Sequence, residues 1–144
     1  MDYQLEVILL PVSDVDRSLA FYTEQVGFPL DVDYQPSDDF RVVQLTPRGS
    51  ACSVQLTAAP GDARRDPYRS TYLVVPDIEA ARAELLERGV PVGEIRHKSP
   101  SEAWQGGWAP GADPARSDYA SFVDFADPDG NIWVLQERGF RPKS

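Results

Sequence analysis

The end of the chain carries an acidic corner, Asp127-Pro128-Asp129-Gly130-Asn131, between two apolar runs. Carboxylates this close together could bind a divalent cation or serve as a catalytic base. The same residues also suit a turn, because proline fixes one backbone angle, glycine accepts a positive one, and Asp and Asn bond nearby backbone amides. We expect the corner to turn the chain unless other parts of the sequence bring metal ligands to it.

The chain has one thiol and one imidazole side chain. Cys52 is the single cysteine and cannot form an intrachain disulfide or a zinc cluster, so we expect a packing role for it. His97 is the single histidine, and a lone histidine near a strand end is more often a surface or hydrogen-bonded residue than a metal ligand. The catalytic residues remain unknown, because no pair has a spacing that guarantees a shared site among Tyr72, Glu94, His97, Asp118 and Asp124.

Composition narrows the class of protein. A chain of 144 residues that is 42% hydrophobic predicts one compact domain with a full core. The net charge of −9 disfavours nucleic acid, whose binding needs positive charge to displace counterions. No apolar run approaches the roughly 18 residues of a membrane span. Since Met1-Asp2-Tyr3-Gln4 also lacks the basic start of a signal peptide, we expect a cytoplasmic protein without membrane contact.

The elements that position these residues occur twice. Asp14 and Asp77 each follow an apolar strand and begin a helical pattern, as N-caps do. Gly27 and Gly89 stand where each helix should end, because glycine accepts the left-handed conformation of a helix C-terminus. The two aspartates lie 63 residues apart and the two glycines 62, which indicates an internal duplication.

Alternating segments typical of strands surround both helices. We predict them at Leu5–Leu10, Leu30–Tyr34, Phe40–Thr46, Ala51–Thr57, Thr71–Val75, Val92–His97, Tyr119–Phe125 and Asn131–Glu137. They form two βαβββ modules within a single domain of residues 1–144, at about 4–58 and 71–138. A linker of residues 59–70 joins the modules.

This ordered set resembles the vicinal oxygen chelate superfamily, the group of glyoxalase I, extradiol dioxygenases and bleomycin-resistance proteins. Phe21-Tyr22, Gly27-Phe28 and the corner at 127–131 carry the resemblance together with the repeated modules, over about Leu5 to Glu137. It implies an α+β fold whose two tandem βαβββ modules form a curved, half-open barrel sheet with the helices on the outside. It also implies a homodimer.

The four metal positions of this superfamily carry unusual residues here. The resemblance places them at Val7, Gln55, Thr71 and Val134, none of which is a histidine or a carboxylate. Divalent zinc, nickel, iron or manganese needs such ligands to replace its hydration shell. We therefore expect no metal and no other cofactor.

The resemblance also implies a cavity on one face of the sheet. Strand alternation assigns to it Val7, Leu9, Gln55, Thr57, Thr71, Leu73, Ile132, Val134 and Gln136. Such an apolar surface with a few neutral polar groups suits a small molecule, although the residues could instead simply pack the interior. Trp133 and Leu135 should face the helices, and Glu137 should be a solvated carboxylate at the strand end.

Residues 98–117 show no periodicity and should form a long loop with Trp104 and Trp108. The indoles offer flat surfaces to an aromatic or cationic ligand, and Gly106-Gly107 between them could act as a hinge. A dimer contact explains the tryptophans equally well.

The leading hypothesis is a metal-free protein that binds a small aromatic or cationic molecule, for sequestration or within a pathway. The alternative is a glyoxalase-like lyase, isomerase or dioxygenase with a non-standard active site. A third, weaker possibility is a structural or regulatory interaction module.

Overall fold

The computed structural model describes residues 1–58, 67, 71–99 and 107–143. The chain divides into two compact units, Met1–Pro67 and Tyr68–Ser144. Each unit contains one β-strand, one helical segment and then the remaining strands of a single sheet. The α+β fold of two tandem βαβββ modules predicted from the sequence is confirmed. Within the described residues, no helix is long and apolar enough to cross a membrane.

The first unit has a four-stranded sheet in the order β1-β4-β3-β2. The β1 and β4 strands are parallel, whereas the other pairs are antiparallel. The elements are β1 (Val7–Val12), α1 (Val15–Ala20), a π-helical continuation (Phe21–Val26), β2 (Leu30–Ser37), β3 (Phe40–Leu45) and β4 (Ser53–Ala58).

The second unit repeats this order with one additional strand. Its sheet runs β5-β9-β8-β6-β7, with β5 and β9 parallel. The elements are β5 (Thr71–Val75), α2 (Ile78–Glu87), β6 (Arg96–Ser99), β7 (Gly107–Pro110), β8 (Ser121–Ala126) and β9 (Ile132–Glu137).

The β6 and β7 strands correct the prediction of a long loop over 98–117, since both include residues of this segment. Residues 107–110 pair antiparallel with β6, and β7 lies at the edge of the sheet. Pro110 suits an edge, where a missing N–H removes no ladder bond on the free side. Trp108 therefore belongs to a strand. Trp104 lies outside the described residues.

The duplicated helix signals have their predicted roles. The Asp14 carboxylate accepts the Arg17 amide at 3.1 Å, and the Asp77 carboxylate accepts the Ala80 amide at the same distance. Gly27 is left-handed at φ 87°, directly after the π-helical continuation. Asp14 and Asp77 are therefore N-caps, and Gly27 ends the first helix as predicted.

Trp133 anchors the core of the second unit. Its ring stacks on Phe125 with centroids 6.1 Å apart, and both side chains are buried with Leu135. The α2 helix contacts the β8 and β9 strands on which these residues lie. Trp133 and Leu135 face the helix, as the sequence predicted.

The acidic corner turns the chain, as expected. Asp127 is buried, and its Oδ1 accepts the amides of Asp129 at 2.9 Å and Asn131 at 2.8 Å. Its Oδ2 accepts the Asn131 side-chain amide at 2.8 Å, and Gly130 has a φ of 82°. Three donors from the turn itself therefore satisfy the carboxylate.

The prediction that Glu137 is solvated is wrong. Glu137 has 0% of its surface exposed, on the same face of β9 as Trp133. Its carboxylate accepts two hydrogen bonds from Arg116 and one from the Ile78 amide at 2.8 Å. A buried carboxylate requires such partners, and Arg116 supplies the opposite charge.

Candidate functional site

The sheet of the second unit presents a face opposite to α2, which we call the second open face. Partnered residues on neighbouring strands share a face, so the register defines its members. They are Tyr72, Val74, Arg96, Lys98, Trp108, Pro110, Phe122, Asp124, Ala126, Ile132, Val134 and Gln136.

This register corrects the assignment of β5. Thr71 and Leu73 pair with Trp133 and Leu135, so they lie on the helix-side face. The prediction that Thr71 and Leu73 share a face with Val134 and Gln136 is therefore wrong. The β5 strand is apolar from Tyr72 to Val75, so its sequence does not distinguish the two faces, and a slip of one residue reverses them.

An aromatic pair lies on the second open face. Trp108 packs edge-to-face on Phe122, with ring centroids 5.1 Å apart. The Trp108 side chain remains 49% exposed, whereas Phe122 is buried. The buried Phe122 ring therefore packs against an indole that is half exposed. The exposed part of the Trp108 indole is a suitable surface for a flat ligand.

Two cations accompany this pair. The Arg96 guanidinium carbon lies 4.6 Å from the Trp108 ring centroid and 5.7 Å from that of Phe122. The Lys98 ammonium lies 4.1 Å from the Trp108 centroid. We call Arg96, Lys98, Trp108 and Phe122 the aromatic–cation cluster. Sequence reasoning missed Arg96 and Phe122, because only the pairing of β6 with β7 and β8 brings both residues close to Trp108.

Arg96 and Gln136 on this face make hydrogen bonds to neighbouring residues. Arg96 Nη1 donates to the Asp124 carboxylate at 3.1 Å, and Gln136 Nε2 donates to the Tyr119 carbonyl at 3.1 Å. Val134 on β9 is buried and is the register partner of Asp124 on β8. A shallow depression of about 380 Å³ adjoins Asp124, lined by Pro91, Val92, Gly93, Phe125, Ala126 and Ile132.

The candidate acid–base residues do not form one group. Tyr72 and Asp124 lie on the second open face, and Asp124 pairs with Arg96. His97 lies on the alternate side of β6, with Nδ1 2.8 Å from the Gly111 carbonyl. Glu94 pairs with Arg82, and Asp118 accepts the Gly139 amide. This hydrogen bond agrees with the expectation that His97 is a surface or hydrogen-bonded residue.

The first unit has its own open face, opposite to the buried Leu10, Val12, Val54 and Leu56. Val7, Leu9, Gln55 and Thr57 all lie on this open face, as the alternation predicted. Leu9 is half exposed, and Thr57 Oγ1 donates to the Leu10 carbonyl at 3.4 Å.

A polar chain crosses the first open face. Gln55 Nε2 donates to Gln44 Oε1 at 3.1 Å, and Gln44 Nε2 donates to Asp31 at 3.5 Å. Thr46 also donates to Asp31. Sequence reasoning missed Asp31, because an irregularity between Leu30 and Val32 in the β2–β3 register changes the simple alternation.

Comparison with known proteins identifies the family. A sequence profile of the Glyoxalase/Bleomycin resistance protein/Dioxygenase superfamily matches residues 4–135. The chain belongs to this superfamily. The resemblance predicted from the repeated modules is thereby confirmed.

Several solved structures of this superfamily share the fold. TnmS3, described as an antibiotic binding protein from Streptomyces sp. CB03234, is 29% identical, with a TM-score of 0.69 over 94% of this chain and 96% of that chain. A glyoxalase/bleomycin resistance protein from the same Streptomyces is 30% identical, with a TM-score of 0.66 over 92% and 99%. The uncharacterized protein YetH of Bacillus subtilis (strain 168) is 22% identical over 93% of this chain and 98% of its own length.

The metal positions of the superfamily do not fit a divalent cation in this chain. Val7 and Val134 present methyl groups without lone pairs. The Gln55 amide nitrogen donates to Gln44, and Thr71 lies on the opposite face of its sheet from Val134. Within the part of the chain that the structure describes, no three His, Cys, Asp or Glu side chains form a group that could hold a metal ion.

Proposed function

We propose that this protein binds a small aromatic molecule on the second open face without a metal ion. The observation that carries the proposal is the half-exposed Trp108 indole, fixed edge-to-face against Phe122. An indole already held in place loses little side-chain freedom when a flat ligand packs against it. Gln136, the register partner of Phe122 on β9, adds a neutral polar group.

Two further observations support binding rather than a superfamily reaction. The residues at the metal positions lack the required donors, as described above. TnmS3, whose described role is antibiotic binding, is 29% identical over 94% of this chain. To sequester a compound, or to carry one within a pathway, the protein needs only to bind it and not to catalyse a reaction. The contacts of Val7, Leu9, Gln55, Thr57 and Trp104 with the ligand stay predictions.

Calorimetric titration of planar aromatic compounds, such as 2-naphthamide and coumarin, tests the proposal. Trp108→Ala should weaken binding about two- to tenfold, and Trp108→Phe should weaken it less, because an aromatic contact contributes roughly 0.5 to 1.5 kcal/mol. Tyr3→Ala is the matched control, since Tyr3 is 92% exposed in the segment before β1. Equal losses in Trp108→Ala and Tyr3→Ala would refute the site.

Elemental analysis of the purified protein tests the metal-free part of the proposal. We expect much less than one equivalent of iron, nickel, zinc or manganese per chain. A stoichiometric metal that survives dialysis, together with turnover of a superfamily substrate, would favour a lyase, isomerase or dioxygenase instead.

We also infer a homodimer, and a cytoplasmic location stays a prediction to be checked by cell fractionation. Exposed apolar side chains on the first open face support self-association, since monomers seldom leave such patches uncovered: Leu9, Val32, Tyr34 and Phe40. Light scattering should give about twice the chain mass of 16.0 kDa. Tyr34→Lys should shift the mass toward the monomer, whereas Tyr3→Lys should not.

A further inference from the structure

The aromatic–cation cluster contains two positive side chains in a chain whose net charge is negative. The whole chain has a net charge of −9, yet the second open face brings together Arg96 and Lys98. Asp124 offsets only Arg96, at 3.1 Å. In the described ranges 1–58, 71–99 and 107–143, no carboxylate lies within ion-pair distance of Lys98. The Lys98 residue as a whole is partly buried.

The position of these cations disfavours a cationic ligand. An aromatic ring attracts positive charge through its negative face, and Lys98 and Arg96 already make that contact with Trp108 at 4.1 and 4.6 Å. A third cation would meet two like charges at the same ring. An anion would instead gain an ion pair with Lys98, whereas the charge of Arg96 is already offset by Asp124.

We propose that the ligand is an aromatic compound with an anionic group, such as a carboxylate. Its ring lies against the exposed part of the Trp108 indole, and its anion pairs with the Lys98 ammonium. This inference rests on the proposed function, and it selects between the aromatic and the cationic ligands that the sequence left open.

Three probes with the same ring separate the charge from the aromatic contact. They are 2-naphthoate, 2-naphthamide and 2-naphthylmethylammonium, titrated by calorimetry at neutral pH and low salt. Naphthoate should bind about fivefold more tightly than the neutral amide, and the ammonium compound should bind most weakly. Raising the salt concentration should weaken naphthoate binding and leave the amide unchanged.

The two lysines of the chain provide a matched pair of variants. Lys98→Gln should weaken naphthoate binding about three- to fivefold and leave the amide within about twofold. Lys98→Arg should keep the preference for the anion. Lys143→Gln changes the net charge equally but lies exposed after β9, so it should leave all three affinities unchanged.

The outcomes distinguish this inference from the proposed function. If naphthoate and naphthamide bind equally and Trp108→Ala weakens both, the preference for an anionic ligand is refuted and the aromatic site stands. Tightest binding of the ammonium compound would also refute this preference. If none of the probes binds, or if Trp108→Ala changes none of the affinities, both the inference and the proposed site are wrong.

Discussion

Arg116 binds the buried carboxylate of Glu137 through two hydrogen bonds, from Nε at 2.8 Å and from Nη2 at 2.5 Å. The same guanidinium reaches Asp77 at 3.4 Å and Glu79 at 2.9 Å at the start of α2. Its hydrogen bond to Glu137 raises the pKa of Arg116 above the ordinary value. One charged side chain thus joins the last strand, the α2 N-terminus and the segment before β8.

Glu137→Gln should lower the free energy of unfolding by about 3 kcal/mol, measured by urea denaturation. The amide oxygen can still accept the Ile78 N–H and the Arg116 Nη2, but the NH₂ group then faces the Arg116 Nε donor, and the buried pair loses its negative charge. Glu94→Gln is the control, because Glu94 is 91% exposed in its pair with Arg82 and should cost less than about 1 kcal/mol. Similar losses for both variants would contradict the burial of Glu137.

The Glu137→Gln penalty should also be the same at pH 6 and pH 9. A raised pKa means that Arg116 contributes stability fully below its unfolded pKa and loses it only as the pH rises through the higher folded pKa. Both test values lie far below that window, since an arginine side chain loses its proton only in strongly alkaline solution. A penalty that falls between pH 6 and pH 9 would contradict this assignment.

The two N-caps allow an internal comparison. Asp14→Ala should cost about 1 kcal/mol, because it removes the acceptor of the Arg17 amide. Asp77→Ala should cost more, since this carboxylate accepts the Ala80 amide and also pairs with Arg116. Thermal denaturation of the two variants measures the difference. A larger loss for Asp14→Ala would show that the Arg116 contact contributes nothing.

The buried turn aspartate Asp127 should be more sensitive to substitution than its position in a loop suggests. Asp127→Ala removes the acceptors for three donors and should cost about 2 to 3 kcal/mol. Asp127→Asn should cost less, because one oxygen can still accept the two amides. Urea denaturation of both variants should give this order, and an Ala variant as stable as the wild type would refute the role of the carboxylate.

The repeated elements were predictable because their signals are local. A capping aspartate, a helix-ending glycine and a Pro-Asp-Gly turn each act within a few residues, so Asp14, Asp77 and Asp127 could be assigned from sequence. The alternation of β1 was also sufficient to place Val7 and Leu9 on the open face of their sheet.

The errors concern pairings between distant residues. Thr71 and Leu73 were placed on the wrong face because β5 is apolar on both sides, and only its register with β9 decides the orientation. Glu137 can be buried because Arg116, 21 residues earlier in the chain, donates hydrogen bonds to its carboxylate. The cluster around Trp108 likewise depends on the pairing of β6 with β7 and β8, which no local pattern indicates.

The Arg41–Asp33 pair should make the stability of the protein depend on pH in acid solution. Arg41 donates to both oxygens of Asp33, each at 3.0 Å, and these hydrogen bonds lower the pKa of Asp33 below its ordinary value of 3.8. A lowered pKa means that the pair contributes stability above pH 3.8 and loses it as the pH falls through the lower folded value. Asp33→Asn should therefore lower the melting temperature at pH 6 by about 1 to 4 °C and have a smaller effect at pH 2.5. Asp38→Asn is the control, since Asp38 is an exposed residue of the β2–β3 turn and should change neither value. An Asp33→Asn effect that is as large at pH 2.5 as at pH 6 would show that the side chain acts through packing rather than through its charge.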